Sequence, residues 1–274
     1  MKPLSDSAIR TFRKKIYDYY RTEGRDLPWR KTKDPYRILV SEVMLQQTQV
    51  ERVLGKYGEF LAAFPDFQSL AEAPLPRLLR LWQGMGYNRR ALMLRLLAQK
   101  IVGEHRGQLP SDPEILIGLP GIGPYTRGAV MAFAFNQPVV FLDTNIRRVY
   151  IDAFFPAREK IRDGEILPLV LQTLDVRNPR KWYNALMDYG ATLKQRRGNP
   201  NKRSAHYSRQ SPFENSDRQV RGRILKVLIG GSPLSAARIA EETGMDPVRV
   251  EKSLVALEKE AFIARRGRRY LIRA

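Results

Sequence analysis

Glu42 is an acid in an apolar setting. It lies in DPYRILVSEVMLQQTQV (34–50), among Ile38, Leu39, Val40, Val43, Met44 and Leu45, on what reads as a buried helix. A buried carboxylate is costly unless it is paired or working, and burial lifts its pKa toward the range of a general acid. A helix-face ion pair with Arg37 or another cation accounts for the same residue equally well, and this helix alone leaves both open. One to two turns later, Gln46, Gln47 and Gln49 form an amide-rich patch suited to nucleobase edges. A second string, ILIGLPGIGPYTRGAVMAFAF (115–135), sets two apolar helices around LPGIG. Gly121 and Gly123 let backbone N–H groups face outward beside a helix N-terminus, a geometry that holds phosphate without side chains. A helix–helix turn that needs glycine for its φ angles is the plainer alternative. In a third string, VVFLDTNIRRVY (139–150), Asp143 follows an apolar run and opens a basic segment, the place of an N-cap aspartate; Asn145 fits a turn.

The elements that must carry these groups are helical. Apolar residues recur at helical spacing from Ile9 through Phe12, Ile16 and Tyr19, then over Ile38–Val53, Leu78–Ile101 and Ala129–Phe135, with turn signals between. Residues 1–193 therefore read as one all-α domain. Residues 194–216 have no apolar periodicity, and Lys194 to Gln210 carries six basic residues and no acid, the texture of a loop or linker. Three short helices follow, with Ser235 and Asp246 where N-caps belong, then two short strands around Arg266-Gly267-Arg268. That is the pattern of a small winged-helix-like domain over 217–274. The fold class expected is mainly α with this small second domain.

Charge points to a polyanionic partner. The 274 residues hold 48 Lys and Arg against 28 Asp and Glu, a net charge of +20; cations set against phosphates release condensed counterions. There is no cysteine and there are two histidines, His105 and His206. Disulfides, thiolate zinc sites and thiolate-ligated clusters are excluded, and a histidine-based metal site is not expected. No apolar run reaches membrane-spanning length and the N-terminus lacks a signal-peptide core. The chain is expected to be a cytoplasmic, nucleoid-associated monomer with no cofactor, no metal and no membrane contact.

Taken in order, LPWR (27–30), PYRILVSEVMLQQTQV, WQGMGYNRRA (82–91), LPGIGPYT (119–126), LDTNIRRV (142–149) and LMDYGA (186–191) resemble the helix-hairpin-helix DNA glycosylase superfamily and, within it, the A/G-specific adenine DNA glycosylases of the MutY family. The resemblance implies a helix-hairpin-helix glycosylase fold and a monofunctional base-excision enzyme acting on double-stranded DNA with a mismatched or damaged base. It makes Glu42 the acid that protonates the leaving base and Asp143 the carboxylate that stabilises or traps the sugar cation, as glycoside hydrolysis requires of a carboxylate pair. Asn145 is then an orienting residue, and Tyr125 stands where lyase-active relatives carry a Schiff-base lysine. The DNA-contacting set it implies is Gln46, Gln47, Gln49, Tyr87, Gly121, Ile122, Gly123, Thr126 and Arg147, with Gln47 and Tyr87 wedging beside the flipped nucleotide. Removal of thymine or uracil opposite guanine, or DNA binding without catalysis, are the alternatives. The family's four cluster cysteines, spaced C-x6-C-x2-C-x5-C, fall here on Lys194, Asn201, Ser204 and Gln210. The loop must then be held by other contacts or be ordered only on DNA.

Overall fold

The structure is a computed structural model and describes residues 3–273. Its helices are α1 (Asp6–Glu23), α2 (Pro35–Leu45), α3 (Val50–Ala63), α4 (Phe67–Ala71), α5 (Leu75–Trp82), α6 (Arg89–His105), α7 (Pro113–Ile117), α8 (Pro124–Phe133), α9 (Thr144–Phe154), α10 (Asp163–Thr173), α11 (Pro179–Arg197), α12 (Asp217–Leu228), α13 (Ala236–Thr243) and α14 (Pro247–Lys259). Three short strands complete it: β1 (Leu234–Ser235), β2 (Ile263–Arg266) and β3 (Arg269–Ile272). Among the described residues no helix is long and apolar enough to cross a membrane.

The chain forms two compact units. One takes the N-terminal segment to Glu42, residues 110–118 and residues 122–209; the other takes 43–109, 119–121 and everything from Gln210. In the first, α1 begins at Ser5, whose hydroxyl accepts from the Ala8 N–H at 3.2 Å, and buries Phe12 and Ile16, one turn apart. Phe12 meets Tyr150 of α9 and Trp182 of α11 at 5.4 and 5.9 Å between ring centroids. A buried ion cluster locks the start of the chain to α11. Asp188 accepts from both Arg30 terminal nitrogens at 2.7 Å and from Arg25 Nε at 2.6 Å, which joins the LPWR string to LMDYGA. Burial pushes the Asp188 carboxyl up, and Arg30 and Arg25 outweigh it and hold it below the usual range. Two residues on, a Cβ at Gly190 would stand 2.2 Å from the Asn145 carbonyl oxygen, so only glycine lets α11 lie this close to the start of α9.

In the second unit, α5 buries Leu75, Leu78, Leu79 and Trp82 at i, i+3, i+4 and i+7, one apolar stripe. Phe60 of α3 packs on Trp82, centroids 5.9 Å apart. Helices α12 to α14 share a core of Val220, Ile224, Ile239, Val250, Leu254 and Phe262. Ser235 and Asp246 cap α13 and α14 as expected. The antiparallel sheet has the order β1-β3-β2, with Leu234 opposite Tyr270 and Ile263 opposite Ile272. β1, two residues long, is too short to show alternation and has no sequence signal.

Removing one member of a buried charge cluster leaves the others unpaired. Asp188→Ala should therefore lower unfolding free energy by about 3–5 kcal/mol, read from the denaturant midpoint. A loss below about 1 kcal/mol would show that Arg25 and Arg30 find water instead.

Candidate active site

Glu42 stands near the C-terminal end of α2 and is 5% exposed. Arg37 is not its partner; that cation lies 3.4 Å from Asp34. Tyr125, in the first turn of α8, donates its hydroxyl to Glu42 Oε2 at 2.8 Å. Burial, opposed by this hydrogen bond and by the charge of Arg30 and helped by the charge of Asp143, pushes the Glu42 carboxyl up to about 7. Burial and the two neighbouring carboxylates also hold the Tyr125 phenol well above its ordinary value, so it is a neutral donor.

Asp143 caps α9, accepting from the Ile146 N–H at 2.6 Å. The capping role and a chemical role coincide in one side chain, because its other oxygen accepts from Asn145 Nδ2 at 3.1 Å. Burial raises its carboxyl, against the Ile146 and Asn145 donors and the charge of Arg148. Arg148 continues the chain of contacts, donating to Asn145 Oδ1 at 2.6 Å and to Asn199 Oδ1 at 3.1 Å. Sequence reasoning gave Arg148 no part, since an arginine inside a basic run carries no mark of its partners.

The segment after α11 is pinned by the protein itself. Asn201 Nδ2 donates to the Thr144 carbonyl at 2.9 Å, and Arg203 donates to the Phe155 and Ile151 carbonyls. The Ile161 N–H reaches the Arg203 carbonyl at 2.9 Å and the Ala205 N–H the Ile161 carbonyl at 2.8 Å. Lys194 is exposed, Asn201 and Ser204 are buried in these contacts, and Gln210 donates to Tyr87. Without a thiolate among them, these four positions do not fit an iron–sulfur cluster.

In the second unit the amide patch lies off the helix. The periodic stretch Ile38–Val53 breaks at Gln46–Gln49, between α2 and α3, and Leu78–Ile101 breaks at Gln83–Asn88, between α5 and α6. Gln47 and Tyr87 both have left-handed backbones, φ +53° and +47°, strain that persists only where surroundings impose it. Arg90 imposes it. Its guanidinium is buried and donates to the carbonyls of Val43, Met44 and Gln46, and to Thr48 Oγ1 and the Met85 and Gly86 carbonyls, at up to 3.0 Å. One side chain thus closes the end of α2 and joins both turns.

In the hairpin string the two glycines differ. Gly121, at φ +77°, has Met93 Cβ 2.8 Å from where its own Cβ would be, whereas Gly123 is an extended N-cap with open space beside it. Gly123 leaves the first N–H groups of α8 without a side-chain cap, which suits an anion. Ile122 and Thr126 are buried at 8% and 2% exposure, so any contact from Ile122 is through its backbone. Arg147 is engaged by Asp163 through two bonds of 2.8 and 2.7 Å. Gln47 and Gln49 are exposed and Gln46 half-buried.

Residues 40–165 match the HhH-GPD superfamily of base excision DNA repair proteins. The chain is 35% identical to the adenine DNA glycosylase of Mycobacterium tuberculosis strain H37Rv, an alignment covering 90% of this chain and 88% of that protein. A thermostable thymine-DNA glycosylase has a similar structure, with TM-score 0.63 and 26% identity over 71% of this chain and 91% of that one. An endonuclease III trapped on DNA shares the fold at TM-score 0.56 and 18% identity, over 77% of this chain and 91% of that one.

Losing Arg90 would strand several buried acceptors at once. Arg90→Met should cost about 3 kcal/mol of stability by denaturant unfolding; a cost under about 1 kcal/mol would mean that the two turns hold their own shape.

Proposed function

The chain belongs to the adenine DNA glycosylase family within the HhH-GPD superfamily of base excision DNA repair proteins, and we propose that it excises adenine mispaired with guanine or 8-oxoguanine. It is a DNA N-glycosylase; the reading to be tested is which base leaves and by which residues. The observation that carries it is the Glu42 carboxyl, held near 7 beside the Tyr125 hydroxyl and within the field of Asp143.

Glu42 in its protonated form donates to a ring nitrogen of the flipped purine. The C1′–N9 bond breaks with its electron pair going to the base, and positive charge develops on the sugar. Asp143, ionised and held by the Ile146 and Asn145 donors, stabilises that charge or bonds to it. Water then supplies a hydroxyl group to C1′ and gives up a proton, leaving an abasic site. Tyr125 keeps the acid in place and supplies no amine, so the enzyme hydrolyses without strand cleavage. Gly121 and Gly123 offer backbone donors to a phosphate, and the exposed amides of Gln47 and Gln49 face bases. Thymine removal opposite guanine is the second reading, favoured by the likeness to the thymine-DNA glycosylase; the higher identity to an adenine glycosylase over more of the chain favours adenine. DNA binding without catalysis, the remaining alternative, would need neither the buried acid nor the capped aspartate. A nucleoid location follows from a DNA substrate.

End-labelled duplexes carrying each mismatch, treated with alkali after incubation, should break at adenine; breaks at thymine alone would overturn the adenine reading. A general acid works while protonated, so the single-turnover rate should hold below pH 7 and fall about tenfold per unit above it. Glu42→Gln should lose roughly 10²–10⁴-fold in rate and with it this alkaline limb. The raised carboxyl binds more protons folded than unfolded between about 4.5 and 7, so wild-type stability should fall as pH rises through that window, and the Gln variant should not follow. A variant that cuts at the wild-type rate would remove Glu42 from the chemistry.

Borohydride added during turnover should trap little protein–DNA adduct, because Tyr125 stands beside the acid where an amine would be needed. Trapping at the rate of base release would instead require a lysine nucleophile.

A further inference from the structure

Tyr87 is held by the C-terminal part of the chain. Arg218, in the first turn of α12, donates Nη1 to the Tyr87 hydroxyl at 2.8 Å, and its guanidinium carbon lies 5.6 Å from the ring centroid. Gln210 donates to the same hydroxyl. Arg218 is fixed in turn by the Ser211 and Pro212 carbonyls at 2.7 and 3.3 Å. With the Arg90 guanidinium carbon 5.7 Å from the centroid as well, two cations lie over one ring whose backbone is already in a left-handed conformation.

This ring and Gln47 line a cleft of about 1220 Å³, together with Gly121 and with Arg218, Gly222 and Lys226 from α12. Six cations and one carboxylate, Glu260, line it, and Glu260 is already held by Arg221 through two bonds of 2.8 Å. A cationic cleft with an aromatic face and amides suits a nucleic-acid strand, phosphates on Arg52, Arg89 or Lys226 and a base against the ring. Glu42, Tyr125, Asp143 and Asn145 do not line it. When one nucleotide is swung out of a duplex, its partner is left unpaired and needs a surface to stack on.

We propose that Arg218 is a specificity-determining positioning residue that sets the angle at which Tyr87 meets the base left unpaired opposite the excised one. The proposal rests on the adenine-excision reading. It makes α12 part of the DNA site, and it assigns the opposite-base preference to a hydrogen bond between a C-terminal arginine and a tyrosine of the α5–α6 turn.

The test is single-turnover adenine release from duplexes with adenine opposite 8-oxoguanine or opposite guanine, and the quantity read is the ratio of the two rates. Arg218→Met should change that ratio roughly tenfold, the effect of a lost hydrogen bond to a charged group. Tyr87→Phe, which keeps the ring and loses the hydroxyl, should change it in the same direction. The double variant should do less than the product of the two single changes, because both remove the Arg218–Tyr87 hydrogen bond. Arg218→Lys, which keeps the charge without the planar fork, should resemble the Met variant and serves if that one fails to fold. Equal slowing of both duplexes would make Arg218 a plain phosphate contact and overturn the proposal, as would an unchanged ratio or effects that multiply in the double variant. If the wild-type protein releases no adenine from either duplex, the underlying reading has failed instead.

Discussion

The first unit keeps one carboxylic acid, Glu42, away from solvent without leaving it unheld. Lifting a glutamate from 4.5 to about 7 amounts to roughly 3 kcal/mol against its ionised form, and burial supplies that only while the surrounding backbone stays closed. Tyr125 gives Glu42 a neutral donor, which fixes its direction without adding charge. Asp143, close enough to raise Glu42 further, is satisfied by the helix it caps. Burial lifts both carboxyls, but N–H donors from Ile146 and Asn145 oppose the lift at Asp143, so the two acids have different surroundings. Such a division suits proton donation paired with charge stabilisation.

That arrangement depends on close approach of α9, α8 and α11. Gly190 allows α11 to touch the Asn145 carbonyl, and Gly128 leaves room for Phe141, whose Cβ lies 2.4 Å from where a Gly128 Cβ would be. The Arg30–Asp188 cluster holds the first turn of the chain against the same helix. Where a cluster of cysteines would close the segment beyond α11, Asn201 and Arg203 close it through backbone carbonyls. Carbonyl acceptors on α9 and just beyond it are available to any well-placed donor, so polar side chains can hold this segment against the helix that carries Asp143.

Much of this was legible in the residues. Apolar periodicity gave the helical content, the N-caps at Ser235 and Asp246 gave two helix starts, and an acid amid apolar neighbours marked Glu42. Periodicity failed where one helix follows another after a few residues: Ile38–Val53 and Leu78–Ile101 each read as one element because short turns of Gln, Gly and Tyr barely interrupt the count. The partners of arginines were not legible at all. Arg90 and Arg148 sit in basic runs and look like surface charge, yet each has its guanidinium among protein acceptors, and only the fold decides which arginine turns inward. The two-residue strand β1 is set by pairing with β3 and has no local pattern to read.

The same distinction limits what net charge says about DNA binding. The +20 total counts every arginine alike, but Arg25, Arg30, Arg90, Arg147, Arg203 and Arg221 donate to carbonyls and carboxylates of the protein. A guanidinium bound to carbonyls still contributes its charge to the long-range field that steers a polyanion. It can make a phosphate contact only by giving up those bonds. The exposed arginines of the β2–β3 turn, Arg265, Arg266, Arg268 and Arg269, are under no such constraint apart from the Arg265 bond to the Gly267 carbonyl. Attraction to DNA is therefore a property of the whole chain, whereas register on it depends on the smaller set of cations whose hydrogen-bond donors the fold has left pointing outward.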